Sequence, residues 1–127
     1  MILIIEDNAD DSFLLTRQLA RARLDDRVRV IGDGQDALDF ILETSTLPQV
    51  VFLDLRLPRV SGIQLLQRIR QEERLRTLPV IVMTNSVDLD DVAKCTELGV
   101  TAYLPKPVGL NTFSKIVGHL KAEQIPT

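Results

Sequence analysis

Residues 50–62 read VVFLDLRLPRVSG, and their order already points to one architecture. They continue an apolar run that starts at Gln49 (QVVFL, 49–53), in which Val50, Val51, Phe52 and Leu53 are β-prone with no polar residue alternating among them. A strand with one wet face alternates; a strand covered on both faces does not, and parallel sheets are covered on both faces. The run stops at Asp54, and Pro58, Ser61 and Gly62 then supply turn and helix-start chemistry. The stretch therefore reads as a buried strand that delivers a carboxylate to its own carboxyl end.

Four other short apolar runs stand out along the chain: 1–5 (MILII), 28–31 (VRVI), 79–83 (PVIVM) and 101–104 (TAYL). The runs at 1–5 and 79–83 lack alternation in the same way. Segments with helical spacing lie between and after them. One runs from about Asp10 to Leu24, with Leu15, Leu19 and Ala22 on one face. Another follows Gly34 and carries Ala37, Leu38, Ile41 and Leu42. A third starts near Ser61 with Leu65, Leu66 and Ile69. The fourth starts near Asp88 with Val92, Cys95 and Leu98, and stops at Gly99. The last carries Leu110, Phe113, Ile116, Val117 and Leu120. Strict β-α alternation predicts an α/β domain with a parallel sheet and helices on both faces. The expectation is a single domain over residues 1–127, with no attached output domain.

Composition narrows the function. Of 127 residues, 45% are hydrophobic and 26% charged, and the net charge is −3. A nucleic-acid binder needs excess Lys and Arg, so that class is disfavoured. Arg68, Arg70, Arg74 and Arg76 cluster, but Glu72 and Glu73 dilute them, and the group reads as a solvated helix face. No run spans a bilayer, and the acidic N-terminus does not resemble a signal peptide. With Cys95 as the lone cysteine, a cytoplasmic, reducing setting is expected.

In an open parallel sheet, chemistry gathers at the carboxyl ends of the strands. There the sequence offers Glu6 and Asp7 after the first run, Asp54 after the third, Thr84 after the fourth and Lys106 after the fifth. Carboxylates that share a site repel one another, and a hard divalent cation such as Mg²⁺ relieves that. A carboxylate can be a nucleophile toward phosphorus, and a cation plus a lysine supply positive charge for the moving oxygens. Asp10, Asp11 and Ser61 read more simply as turn formers or helix caps. Gly32, Asp33 and Gly34 read as a turn.

At these residues the sequence resembles the receiver domains of bacterial two-component response regulators. The likeness runs from Met1 to about Lys121 and rests on ILIIEDN, VVFLDLRLPRVSG, PVIVMTNS and AYLPKPV, in that order. The resemblance implies a five-stranded sheet of order 2-1-3-4-5. It implies Mg²⁺ held by Glu6 and Asp7, by the phosphoacceptor Asp54, and by the backbone carbonyl of Arg56. It further implies a phosphoryl-binding hydroxyl on Thr84, a pairing amine on Lys106, an aromatic switch at Tyr103, and a cis bond before Pro107. The implied donor is a phosphohistidine of a sensor histidine kinase. The implied activity is self-directed phosphoryl transfer and autodephosphorylation rather than turnover of a separate substrate. The implied signal is a shift of the face formed by helix 4, strand 5 and helix 5, where a homodimer could also form.

IGDGQDALDFI at 31–41 and the Thr84-Asn85-Ser86 string are similar to short regulators serving phytochrome-type photoreceptor kinases. Glu6 stands where Asp is frequent, and Asn85 where a small residue is usual. With Arg56, Asn85 is expected to alter the phosphoryl lifetime. Lys115, His119 and Lys121, with Lys94, Glu97 and Tyr103, are candidates for a partner surface. A haloacid-dehalogenase-type phosphohydrolase is the enzymatic rival, but it needs Asp-x-Asp at the first strand's end, and the string here is Asp54-Leu55-Arg56 on the third. A receiver fold that is never phosphorylated is the non-enzymatic rival.

Overall fold

The computed structural model describes residues 1–24, 27–85, 88–106, 115, 116 and 118. Its elements are β1 (Ile2–Ile5), α1 (Ala9–Arg21), β2 (Val28–Ile31), α2 (Gly34–Glu43), β3 (Val50–Leu53), α3 (Gly62–Arg70), a 3₁₀ turn (Glu73–Leu75), β4 (Val80–Thr84), α4 (Leu89–Glu97) and β5 (Ala102–Pro105). The strands form one parallel sheet in the order β2-β1-β3-β4-β5, as the resemblance implies.

The unalternating runs are the three central strands. Every residue of β1, β3 and β4 is buried, whereas the edge strand β2 leaves Arg29 and Val30 exposed. Alternate residues of a strand point to opposite faces, so each central strand feeds two cores. Ile2, Ile4, Val50, Phe52, Ile81 and Met83 pack with Leu15 and Leu19 of α1. Leu3, Ile5, Val51, Leu53, Val80 and Val82 pack with Ala37 and Ile41 of α2, Leu65, Leu66 and Ile69 of α3, and Cys95 of α4. Ile116 packs against the α1 side; the rest of the last apolar stripe lies outside the described residues.

Local chemistry sets the helix starts. Asn8 caps α1, accepting from the Asp11 N–H at 3.0 Å. Ser61 caps α3 in a reciprocal pair with Gln64. Asp33, expected in a simple turn, is the N-cap of α2 and accepts from Gln35 and Asp36. Beyond α4, Gly99 takes φ +70°, the left-handed conformation that favours glycine at a helix end.

The arginine cluster is not a uniformly solvated face. Arg70 donates to the carbonyls of Leu98, Leu75 and Gly99, tying α3 to the end of α4. Arg74 donates to the Ile41 and Leu42 carbonyls near the end of α2. Helix C-termini leave carbonyls without intrahelical partners, and these guanidinium groups supply some. Sequence alone could not reveal this, because the acceptors come from elements about thirty residues away.

Candidate functional site

The parallel register brings four strand ends to one edge. Ile5 pairs with Leu53, Leu53 with Val82, and Thr84 with Pro105. The ladder continues one residue past three of the strands. Glu6 N–H donates to the Ile31 carbonyl at 3.1 Å, Asp54 N–H to Ile5 at 3.0 Å, and Lys106 N–H to Thr84 at 2.9 Å. The backbone of each residue is thus fixed by the sheet itself. This edge lies where the strand order reverses between β1 and β3, the usual position of a site in such a sheet.

Lys106 is the hub. Its ammonium donates to Glu6 Oε1, to Asp11 Oδ2 at 2.9 Å and to Asp54 Oδ2 at 3.1 Å. The side chains of Lys106, Glu6 and Asp54 are only 9%, 5% and 11% exposed. The other oxygens are also held: Asp54 Oδ1 accepts from Arg56 N–H at 3.1 Å, and Glu6 Oε2 from Asn8 N–H at 3.3 Å. The Asp54 carboxylate is therefore gripped at both ends.

The electrostatics are frustrated. Burial, then the Asp54 carboxylate beside it, push Glu6 from 4.5 up to about 7, against the pull of Lys106. Burial alone would lower Lys106, but its three carboxylate partners outweigh that and raise it above its ordinary value. The lysine is firmly charged, yet one ammonium cannot satisfy so many acids. Glu6, Asp7 and Asp54 each offer an oxygen, all within 4.8 Å of one another. An all-oxygen donor set with surplus negative charge fits a hard divalent cation.

Glu6, Asp54 and Lys106 are bonded together, and Asp7 joins them with its side chain toward solvent. Thr84 is fully buried at the end of β4. Arg56 is exposed and touches Asp54 through its backbone N–H. Tyr103 is half-buried against the α4 side of the core, where burial raises its hydroxyl. Asn85 is exposed and, with Asp11, Leu14 and Lys106, lines a groove of about 320 Å³ that opens beside the site. Pro107 and its peptide bond lie outside the described residues.

Asp11 is not the turn former or cap that its position suggests: Asn8 is the cap and Asp11 reaches Lys106. The available signal was its place in the first turn of α1, three residues after the Asn8 cap, a turn that starts from the same sheet edge.

Gly62 fixes the site from below. A Cβ there would lie 2.6 Å from the Asp54 carbonyl oxygen and 2.5 Å from Leu55 Cα. Only glycine lets α3 begin so close to the strand end that carries Asp54.

This is a doubly wound α/β domain with an acid cluster and a buried lysine at its switch edge, the architecture of a response-regulator receiver. The chain belongs to the response regulator receiver domain family, which it matches over residues 2–118. Among curated relatives, it is 36% identical over 125 residues to the probable methanogenesis regulatory protein FilR2 of Methanothrix harundinacea, covering 95% of this chain and 81% of that one. It is 33% identical to the response regulator Rcp1 of Synechocystis, covering 100% and 90%. Among solved structures, the bacteriophytochrome response regulator RtBRR superposes with a TM-score of 0.81 at 38% identity, over 94% of this chain and 76% of that one. The Mn²⁺-bound form of Rcp1 gives 0.81 at 33%, over 99% and 94%. The phosphorylated cyanobacterial phytochrome response regulator RcpA gives 0.80 at 28%, over 94% and 89%. Among the described residues, no helix is long and apolar enough to cross a membrane.

Proposed function

We propose that this receiver accepts a phosphoryl group on Asp54 from a phosphohistidine of a sensor histidine kinase. The observation that carries the reading is the hub: Lys106 reaches from β5 to the Asp54 carboxylate of β3 inside an acid cluster with cation-binding chemistry. A carboxylate oxygen of Asp54 attacks phosphorus and the phosphorus–nitrogen bond breaks. The imidazole nitrogen keeps the electron pair and takes up a proton. Arg56 N–H and Lys106 orient the nucleophile, and Lys106 remains charged to meet the transferred oxygens. Glu6, Asp7, Asp54 and the Arg56 carbonyl would hold Mg²⁺, which when bound offsets the negative charge of the acids and of the phosphoryl group.

In this reading Thr84 meets the phosphoryl oxygens from β4, and Tyr103 moves in response. The α4–β5 surface then carries the signal to a partner or a second copy. The likeness to RtBRR and RcpA, phytochrome response regulators by name, supports a phytochrome-type kinase as the donor. The likeness to FilR2, a probable methanogenesis regulatory protein by name, supports a different input as the alternative, and transfer from a purified phytochrome-type kinase in place of acetyl phosphate separates the two. Net charge −3 argues for protein partners rather than nucleic acid, and the setting proposed is the cytoplasm.

The test is direct. The chain is incubated with Mg²⁺ and acetyl phosphate and weighed intact. One added phosphoryl group is expected, lost in Asp54→Asn and lost with a chelator. Label that persists in either control overturns the assignment.

A further inference from the structure

Lys106 has three ammonium N–H donors and three carboxylate partners, Glu6, Asp11 and Asp54. Two of those partners, Glu6 and Asp54, belong to the cluster whose oxygens lie within 4.8 Å of one another. Asp11 does not; it comes from the first turn of α1. A cation in the cluster and the ammonium beside it compete for Glu6 and Asp54 and repel each other. Asp11 is the acceptor that the ammonium need not share.

We propose that Asp11 is a positioning residue for Lys106, holding the ammonium beside Asp54 when a divalent cation takes up Glu6 and Asp54. The proposal rests on the reading of Glu6, Asp7 and Asp54 as the cation site. The geometry suits the task. The Asp11 N–H is anchored to the Asn8 side chain at 3.0 Å, so the carboxylate projects from a capped turn. Its side chain is 33% exposed against 9% for Lys106. Asp11 thus stays in contact with water while the ammonium it holds does not, and its consequence lies in where it keeps the lysine. Asp10 provides the internal comparison: it has the same charge on the same turn, is exposed, and leaves Lys106 to Asp11.

The experiment titrates Mn²⁺ into the full chain by calorimetry, in the parent and in a Lys106→Ala background. Asp11→Asn is expected to weaken Mn²⁺ binding about fivefold in the parent, as coupled neighbours do. In the Lys106→Ala background it should do no more than Asp10→Asn does. Asp11→Glu should restore most of the affinity. Asp11→Ser, which tolerates the first helical turn, serves as a second variant with the same expected loss. An equal Asp11→Asn effect in both backgrounds, an effect matched by Asp10→Asn, or no effect at all overturns the proposal. A parent chain that binds no Mn²⁺ ends the cation reading itself, a result visible before any variant is made.

Discussion

Two clusters in this molecule use the same ingredients to opposite ends. At the sheet edge, Lys106 sits among Glu6, Asp11 and Asp54. Beside α2, Arg59 sits between Asp33 at 2.8 Å and Asp36 at 2.9 Å. The second cluster lies in water, with the Arg59 side chain 58% exposed. There the guanidinium and the helix-start N–H groups pull Asp33 down to about 2. Each carboxylate is content, and Arg59, at φ +66°, staples the loop after β3 onto α2. In the first cluster burial wins, and Glu6 is driven up instead. A solvated cluster relaxes into a structural clasp. A buried one with more acids than cations keeps uncompensated negative charge although its oxygens are hydrogen-bonded, and a cation can use that surplus.

The two clusters should respond very differently to loss of their basic side chain. Lys106→Met should lower the stability of the cation-free chain by about 3 kcal/mol, because it strands buried carboxylates. Added Mg²⁺ should return part of that loss in urea unfolding. A loss no larger than that of a surface substitution would remove the contrast.

The glycine beneath each cluster gives the next effect. Gly62→Ala should cost about 2 kcal/mol, as overpacking against backbone does, and should slow acetyl phosphate labelling by shifting Asp54. Gly34→Ala, whose Cβ would strike the Val60 carbonyl, should destabilise at least as much yet leave the labelling rate of the folded chain unchanged. Equal labelling in the two variants would show that the site does not depend on the start of α3.

Proton linkage separates the clusters by pH. Folded Glu6 keeps its proton to about 7, whereas the unfolded chain releases it near 4.5. The folded state binds more protons in that window, so cation-free stability falls as pH rises through it, by a few degrees of thermal midpoint. Saturating Mg²⁺ should flatten the trend. Asp33 behaves oppositely: its contribution is present above 3.8 and fades as pH falls toward about 2. Thermal melts across pH, with Glu6→Gln and Asp33→Asn as references, check both windows.

The smallest effect belongs to the clasp. Arg59→Met should change stability no more than an ordinary surface substitution does, and less still in high salt. A change as large as that of Lys106→Met would mean that exposure does not govern these pairs.

Much of this was legible in the chain itself. The absence of alternation in MILII, VVFL and PVIVM identified the three strands that lie at the centre of the sheet, because a strand with helices on both faces has no wet side to mark. The Leu15–Leu19 and Leu65–Leu66–Ile69 stripes identified helical faces, and the residues after each strand named Glu6, Asp7, Asp54, Thr84 and Lys106. These are local matters of period, propensity and turn chemistry. What the tertiary structure decided is which distant groups meet. It gave Asp11 to Lys106 rather than to a cap, and gave Arg70 and Arg74 to carbonyls of other helices rather than to water. It also set Glu6 above its ordinary value while Asp33 fell below its own. A charge's partner and burial depend on chain segments far away in sequence, and spacing along one chain carries no record of either.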